Sequence, residues 1–111
     1  MKALIIGFGS IGQRHFKILS KLKNIKKCHI VSKQKIKNIK IFSSLEDVDL
    51  NDYAYIIIAS KTFLHFEQLK YIERNTENKI ILVEKPLFMT NQKLCIKNNK
   101  VFVAYNRRFI Q

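Results

Sequence analysis

A length of 111 residues, 47% of them hydrophobic, suffices for one domain with a core of its own. The absence of any apolar run of transmembrane length, of a signal-peptide pattern, and of metal-ligand or disulfide-framework spacing between Cys28 and Cys95 argues against a membrane span and a secreted scaffold, and points to a reducing cytoplasm. The net charge of +13 is lopsided: residues 1–45 hold eleven basic and no acidic side chains, residues 46–111 ten basic and eight acidic. A basic half can bind phosphates of any kind, but no aromatic pattern interleaves with these lysines. A solvated face in a Lys-, Ile- and Asn-rich composition is therefore preferred over nucleic-acid binding.

Lys2 to Ile6 is a short apolar run ending at a glycine, the pattern of a buried strand. From Ile11 to Lys23, Ile11, Phe16, Leu19 and Leu22 recur at helical spacing with lysines between them, and Asn24 supplies a stop. A second strand is expected over Cys28 to Ser32, then a lysine-rich loop, then a short third strand over Ile39 to Phe42. Ser43 or Ser44 can cap a brief helix through Val48, because Glu46 and Asp47 suit its positive first turn. Tyr53 to Ala59 is a continuous apolar strand of the kind buried on both faces. Thr62 can cap a helix running to Asn75, with Leu64, Leu69 and Ile72 toward the core. Ile80 to Val83 makes a fifth strand stopped by Lys85-Pro86, Thr90 caps a short helix to Lys97, and Lys100 to Tyr105 makes a sixth strand. This alternation, without internal repeat or linker, predicts one α/β domain over residues 1–111: a doubly wound parallel sheet of about six strands with helices on both faces.

All three glycines of the chain fall in Gly7-Phe8-Gly9-Ser10-Ile11-Gly12, between the first strand and the first helix. The G-x-G-x-x-G spacing alone is weak, but a strand before it, a helix after it and a βαβ unit around it form its confirming context. In a Rossmann-type turn the first glycine permits the tight bend, the second lets the backbone approach a pyrophosphate, and the third lets helix and strand pack closely. The phosphates then meet free N–H groups at the helix start, where the macrodipole favours negative charge. An ordinary strand-to-helix loop would not explain why so glycine-poor a chain gathers all of it here. NAD-selective sites place an acid about twenty residues further on, for the ribose hydroxyls. Here that position reads Val31-Ser32-Lys33, and no acid precedes Glu46. Ser32 and Lys33 can hold a 2′-phosphate, so NADP is expected ahead of NAD; a plain polar strand end is the competing reading of these two residues.

Three further segments lead from cofactor to chemistry: Ala59-Ser60-Lys61-Thr62 with His65, then Glu84-Lys85-Pro86, then Tyr105-Asn106-Arg107-Arg108-Phe109. With the glycine turn, in this order and at strand ends, the chain resembles over essentially its whole length the N-terminal domain of the glucose–fructose oxidoreductase, inositol dehydrogenase and MocA (Gfo/Idh/MocA) family. Glu-Lys-Pro is the most specific element, while the stretch between Pro86 and Val101 is short for the family. The resemblance implies that Lys85 lies beside the nicotinamide and the substrate hydroxyl as the catalytic group, as a base or as a donor to the developing oxyanion. It also implies that Lys85-Pro86 can be cis, that Glu84 orients Lys85 or contacts the cofactor ribose, and that Ser60, Thr62 and His65 belong to a loop covering the cofactor. Asn106 and Arg108 would follow the last strand, where relatives begin to cross into a substrate domain. Without the resemblance, His65 reads as a packed or solvent-facing helix histidine, Glu-Lys-Pro as a polar strand stop, and Asn106 and Arg108 as a solvated tail. Arg14 reads as a surface residue that could approach a phosphate. No metal ligand set is expected.

Relatives continue into a second domain that binds substrate and usually makes the dimer, whereas this chain stops at Gln111. The expectation is the dinucleotide-binding half of an oxidoreductase acting on a sugar, sugar nucleotide or cyclitol, with that substrate bound only if a C-terminal domain is supplied. The alternative is a stand-alone dinucleotide-binding or regulatory module, or a truncated remnant, without catalysis. A sixth strand at an open sheet edge also carries a risk of self-association.

Overall fold

Ala3 to Ile6 are at most 1% exposed, because the strand they form, β1 (Lys2–Ile6), lies inside the sheet with layers on both faces. The computed structural model describes residues 1–25, 27–85, 87 and 94–104. After β1 come α1 (Ser10–Ser20), β2 (Lys27–Val31), β3 (Ile41–Phe42), two 3₁₀ turns (Leu45–Asp47 and Leu50–Asp52), β4 (Tyr55–Ile58), α2 (Thr62–Asn75), β5 (Ile80–Glu84) and β6 (Lys100–Ala104). The six strands are all parallel in the order β3-β2-β1-β4-β5-β6, the strand order of a doubly wound Rossmann sheet. The predicted α/β architecture and strand number hold.

Side-chain alternation sorts the sheet into two cores. Leu4, Ile6, Ile56, Ile58, Ile81 and Val83 face α2, which contributes Leu69 and Ile72, and the 3₁₀ turns, which contribute Leu45 and Leu50. Ala3, Ile5, Ile30 and Ile57 face the other way, where α1 contributes Leu19. Each fully buried Ile or Leu contributes about 2 kcal/mol of transfer free energy. The β4–β6 half of this second face is less covered among the described residues, and Phe102 on β6 is 54% exposed.

Several local expectations change for identifiable reasons. The first helix begins at Ser10 and ends at Ser20, where the N–H of Lys21 turns back to Ile18 and Leu19; Ile11 and Leu22 are exposed. Thr62 is the first helical residue of α2 and Lys61 occupies the cap position without a side-chain hydrogen bond, so Thr62 does not cap. Leu64 lies half-exposed on the cleft side of α2, whereas Leu69 and Ile72 are buried as expected. Ser44 does cap, accepting from the N–H of Glu46, but the segment it starts is a single 3₁₀ turn. β4 starts at Tyr55, since Tyr53 N–H closes the second 3₁₀ turn on Leu50. Of the helix predicted from Thr90 to Lys97, residues 94–97 are irregular, and the rest lies outside the described residues. The N–H groups of Lys97 and Asn98 donate to the Glu73 carboxylate at 2.8 and 2.9 Å, an arrangement that holds this stretch as a loop against α2.

Candidate functional site

Between β1 and β4 the connections leave the sheet on opposite faces, β1 into α1 and β4 into α2, and a crevice opens at the carboxyl ends of these strands. Gly7 donates to Val31 O at 2.8 Å and Ala59 to Ile6 O at 2.8 Å, closing the floor. Gly7 has φ +94°, and a Cβ there would fall 2.7 Å from Ser60 Cα, so its backbone conformation and its close approach to β4 both require glycine. A Cβ at Gly12 would stand 2.3 Å from Gly7 O; only its absence lets α1 lie this close to the turn. Gly9 differs. Nothing lies within 4 Å of where its Cβ would be, so this backbone faces open space.

Gly9 also caps α1 without any side-chain hydrogen bond, and no acidic residue occupies the first turn. The amides at such a helix start have no intrahelical acceptor and carry the positive end of the dipole, an arrangement that favours an anion. A Cβ-free backbone, free amides and adjoining open space together fit a dinucleotide pyrophosphate. The residues present therefore suit the cofactor expected from the glycine spacing.

The cleft encloses about 830 Å³ and is lined by the turn from Gly7 through Phe8, Gly9, Ser10 and Ile11, by Ser32, Lys33 and Gln34 after β2, and by Ala59, Ser60 and Lys61 after β4, with Phe63, Leu64 and Gln68 on α2. Ser32 N–H bonds Phe42 O and its hydroxyl oxygen accepts from Gln34 N–H at 3.1 Å. Ser60 Oγ donates to Gln68 Oε1 at 2.5 Å. The sequence reading missed two glutamines: Gln13 and Gln34 both donate to Phe8 O, at 3.3 and 3.2 Å, and tie the glycine turn from two sides. One glutamine in the first turn of α1 and another just after β2 carry no local signal of such a convergence.

Eight of the expected cofactor residues thus meet in one cleft: Gly7, Phe8, Gly9, Ser10, Ile11, Ser32, Lys33 and Ser60. Gly12 lies beneath it as a packing contact. Thr62, His65, Glu84 and Lys85 are not in its lining. His65 is 1% exposed, with Nε2 2.8 Å from Ser60 O and Nδ1 3.1 Å from Leu87 O. Glu84 pairs with His15 of α1, Oε2 to Nε2 at 2.5 Å, a contact the sequence did not suggest. Lys85 is exposed on the turn that follows β5, and Arg14 is exposed on α1. Pro86, and the Tyr105, Asn106, Arg107, Arg108 and Phe109 segment, lie outside the described residues. Among the described residues no cluster of His, Cys, Asp or Glu could hold a metal, and no helix is long and apolar enough to cross a membrane.

Away from the cleft, burial pushes the Cys28 thiol up to about 11, which keeps it protonated. The His29 ring, bonded to Tyr53 Oη at 2.7 Å, is shifted down by burial and then by Lys2, Lys27 and Lys40 around it. Both effects describe a packed and strongly positive N-terminal rim of the sheet, not a reactive centre.

Residues 1–103 match a family model described as an oxidoreductase family with an NAD-binding Rossmann fold. A Klebsiella pneumoniae protein of known crystal structure, assigned as an oxidoreductase, shares the fold at a TM-score of 0.67 and 17% identity. The match covers 81% of this chain but 28% of that one, so the chain spans less than a third of that protein's length. No curated protein matches the sequence.

Proposed function

We propose, from the premise that this chain belongs to the Gfo/Idh/MocA oxidoreductase family, that it is the NADP-preferring cofactor-binding domain of a cytoplasmic enzyme that moves hydride to or from a sugar, sugar nucleotide or cyclitol. The open space over Gly9, framed by two glycines that packing requires, is the observation that carries this reading. The backbone from Gly9 to Gly12 would bind the pyrophosphate through its N–H groups, a helix-start interaction of about 0.3–1 kcal/mol per exposed charge and more where water is excluded. Ser32, whose oxygen is already engaged by Gln34 N–H, keeps its own O–H to donate to a 2′-phosphate, and Lys33 beside it supplies positive charge. An acid in that position would repel the same phosphate, and none is present. Ser60 and Thr62 at the start of α2 would cover the cofactor, with Asn106 beyond the last strand.

When bound, the nicotinamide would supply the hydride acceptor or donor. Lys85, on the turn at the carboxyl end of β5, would take the proton of the substrate hydroxyl during oxidation, or steady the oxygen as its charge develops. Glu84 holds the base of that turn. A binding module without turnover would share every one of these cofactor contacts and differ only in the use of Lys85.

Titration of the chain with NADPH and NADH, followed by nicotinamide fluorescence, tests the assignment. NADPH should bind more tightly, and the Ser32→Ala, Lys33→Ala double variant should narrow the difference about tenfold, the loss of one charge-assisted contact. An unchanged ratio would overturn the NADP preference; failure of both dinucleotides to bind would overturn the cofactor reading. Oxidation of sugars after addition of a family C-terminal domain, lost on Lys85→Met, tests the chemistry.

A further inference from the structure

We infer that His15 and His65 are positioning residues, which hold Glu84 and Leu87 from opposite faces of the sheet and so fix where Lys85 stands between them. The inference rests on the cofactor reading above and assigns work to two side chains outside the cleft lining.

His15 lies on α1 three residues beyond Gly12, on the helix whose start would receive the pyrophosphate. Its Nε2 reaches Glu84 Oε2 at 2.5 Å, joining residues 69 apart in sequence, with both side chains less than one-fifth exposed. In sheet order β4 stands between β1, where α1 begins, and β5, which ends in Glu84, so this contact bridges β4. His65 approaches from α2, on the other face. It is 1% exposed and its two ring nitrogens lie against Ser60 O and Leu87 O. Both partners are acceptors, so His65 holds Leu87 in the tautomer whose proton sits on Nδ1, whereas a proton on Nε2 would tie α2 to Ser60 O instead.

Glu84 and Leu87 bracket Lys85. A lysine has a long, flexible stem, and its usefulness at a reacting oxygen depends on a backbone held to within about 0.5 Å. The two histidines supply that restraint, and His15 links it to the same helix that positions the phosphates. Ser32 and Lys33 line the cleft after β2, away from Glu84 and Leu87, so adenine-side contacts there would not be held by this clamp.

The experiment uses the full chain and compares NADPH with 2′,5′-ADP, which keeps the adenine half and lacks nicotinamide. His15→Ala should weaken NADPH about tenfold and 2′,5′-ADP by less than about twofold, and His15→Gln, which retains an N–H donor, should recover most of the loss. In the free chain, hydrogen exchange of the Lys85 and Leu87 amides should accelerate in His15→Ala while that of β1 does not. His65→Asn should act likewise; if it does not fold, the His15 variants decide. Parallel loss of both ligands, no recovery in His15→Gln, or unchanged exchange at the turn overturns the clamp. If the unaltered chain binds neither ligand, the cofactor reading falls, and the exchange measurement alone decides the clamp.

Discussion

Three glycines within six residues perform three different tasks, and substitution by alanine separates them. At Gly12 a methyl group would meet Gly7 O at 2.3 Å, so α1 must shift off the turn. Gly12→Ala should cost about 1–3 kcal/mol of stability in urea unfolding. At Gly9 the same methyl meets nothing, and Gly9→Ala should hold stability within about 0.5 kcal/mol while weakening cofactor binding. Equal destabilisation by the two substitutions would refute the division of labour. These roles were legible in the sequence because the spacing itself encodes them: the turn, the open backbone and the helix contact occur at fixed offsets. The contacts of His15 with Glu84 and of His65 with Leu87 O were not, because groups 69 and 22 residues apart meet only once the sheet order is set.

At the scale of elements, strands announced themselves through apolar runs, and every observed strand begins and ends within one or two residues of its predicted limits. The failures lie where a partner distant in sequence overrides a local pattern. The segment before β6 is the clearest case, since Leu94 and Ile96 pack on the core of α2 and β5 while Glu73 captures the backbone beside them. Glu73 is 5% exposed; burial alone would raise its carboxyl, but the N–H groups of Lys97 and Asn98 and the Asn99 amide outweigh that and lower it. A carboxylate lowered in the folded state contributes stability that is present above its unfolded value of 4.5 and lost as pH falls through the folded value. Glu73→Ala should cost about 2 kcal/mol, because it leaves partly buried donors without their acceptor. Glu73→Gln should flatten the acid limb of the stability–pH curve. If the unfolding midpoints of the unaltered chain and Glu73→Gln fall in parallel on acidification, Glu73 is not the group responsible.

Across the whole molecule, like charge works against compaction. Lysines gather at the N-terminal rim of the parallel sheet, where Lys2 lies opposite Lys27 and Lys100 follows the backbone of Lys79. Burial lowers the His29 ring, and Lys2, Lys27 and Lys40 lower it further against the opposing Asp52. A net charge of +13 on so short a chain repels itself, and salt screens the repulsion over a Debye length of about 10 Å at 0.1 M. Raising NaCl from about 0.02 to 0.3 M should stabilise the fold by about 1 kcal/mol, a gain of roughly 5 °C in Tm. A Tm that stays constant or falls would show that the repulsion is already neutralised. The asymmetry along the chain was visible in the sequence; the approach of Lys2, Lys27 and Lys40 to one another was not, because it depends on which ends of the strands lie side by side.

The strand order has a consequence for how the chain is made. β1 is synthesised first and lies inside the sheet; β2 and β3 then add outward on one side, and β4, β5 and β6 outward on the other. No strand ever has to be inserted between two that are already paired. The sheet can therefore grow from its first strand as the polypeptide leaves the ribosome, at about 5–20 residues per second, each new strand finding a ready edge. The glycine turn, part of the β1–α1–β2 unit, then takes shape ahead of the rest of this sheet.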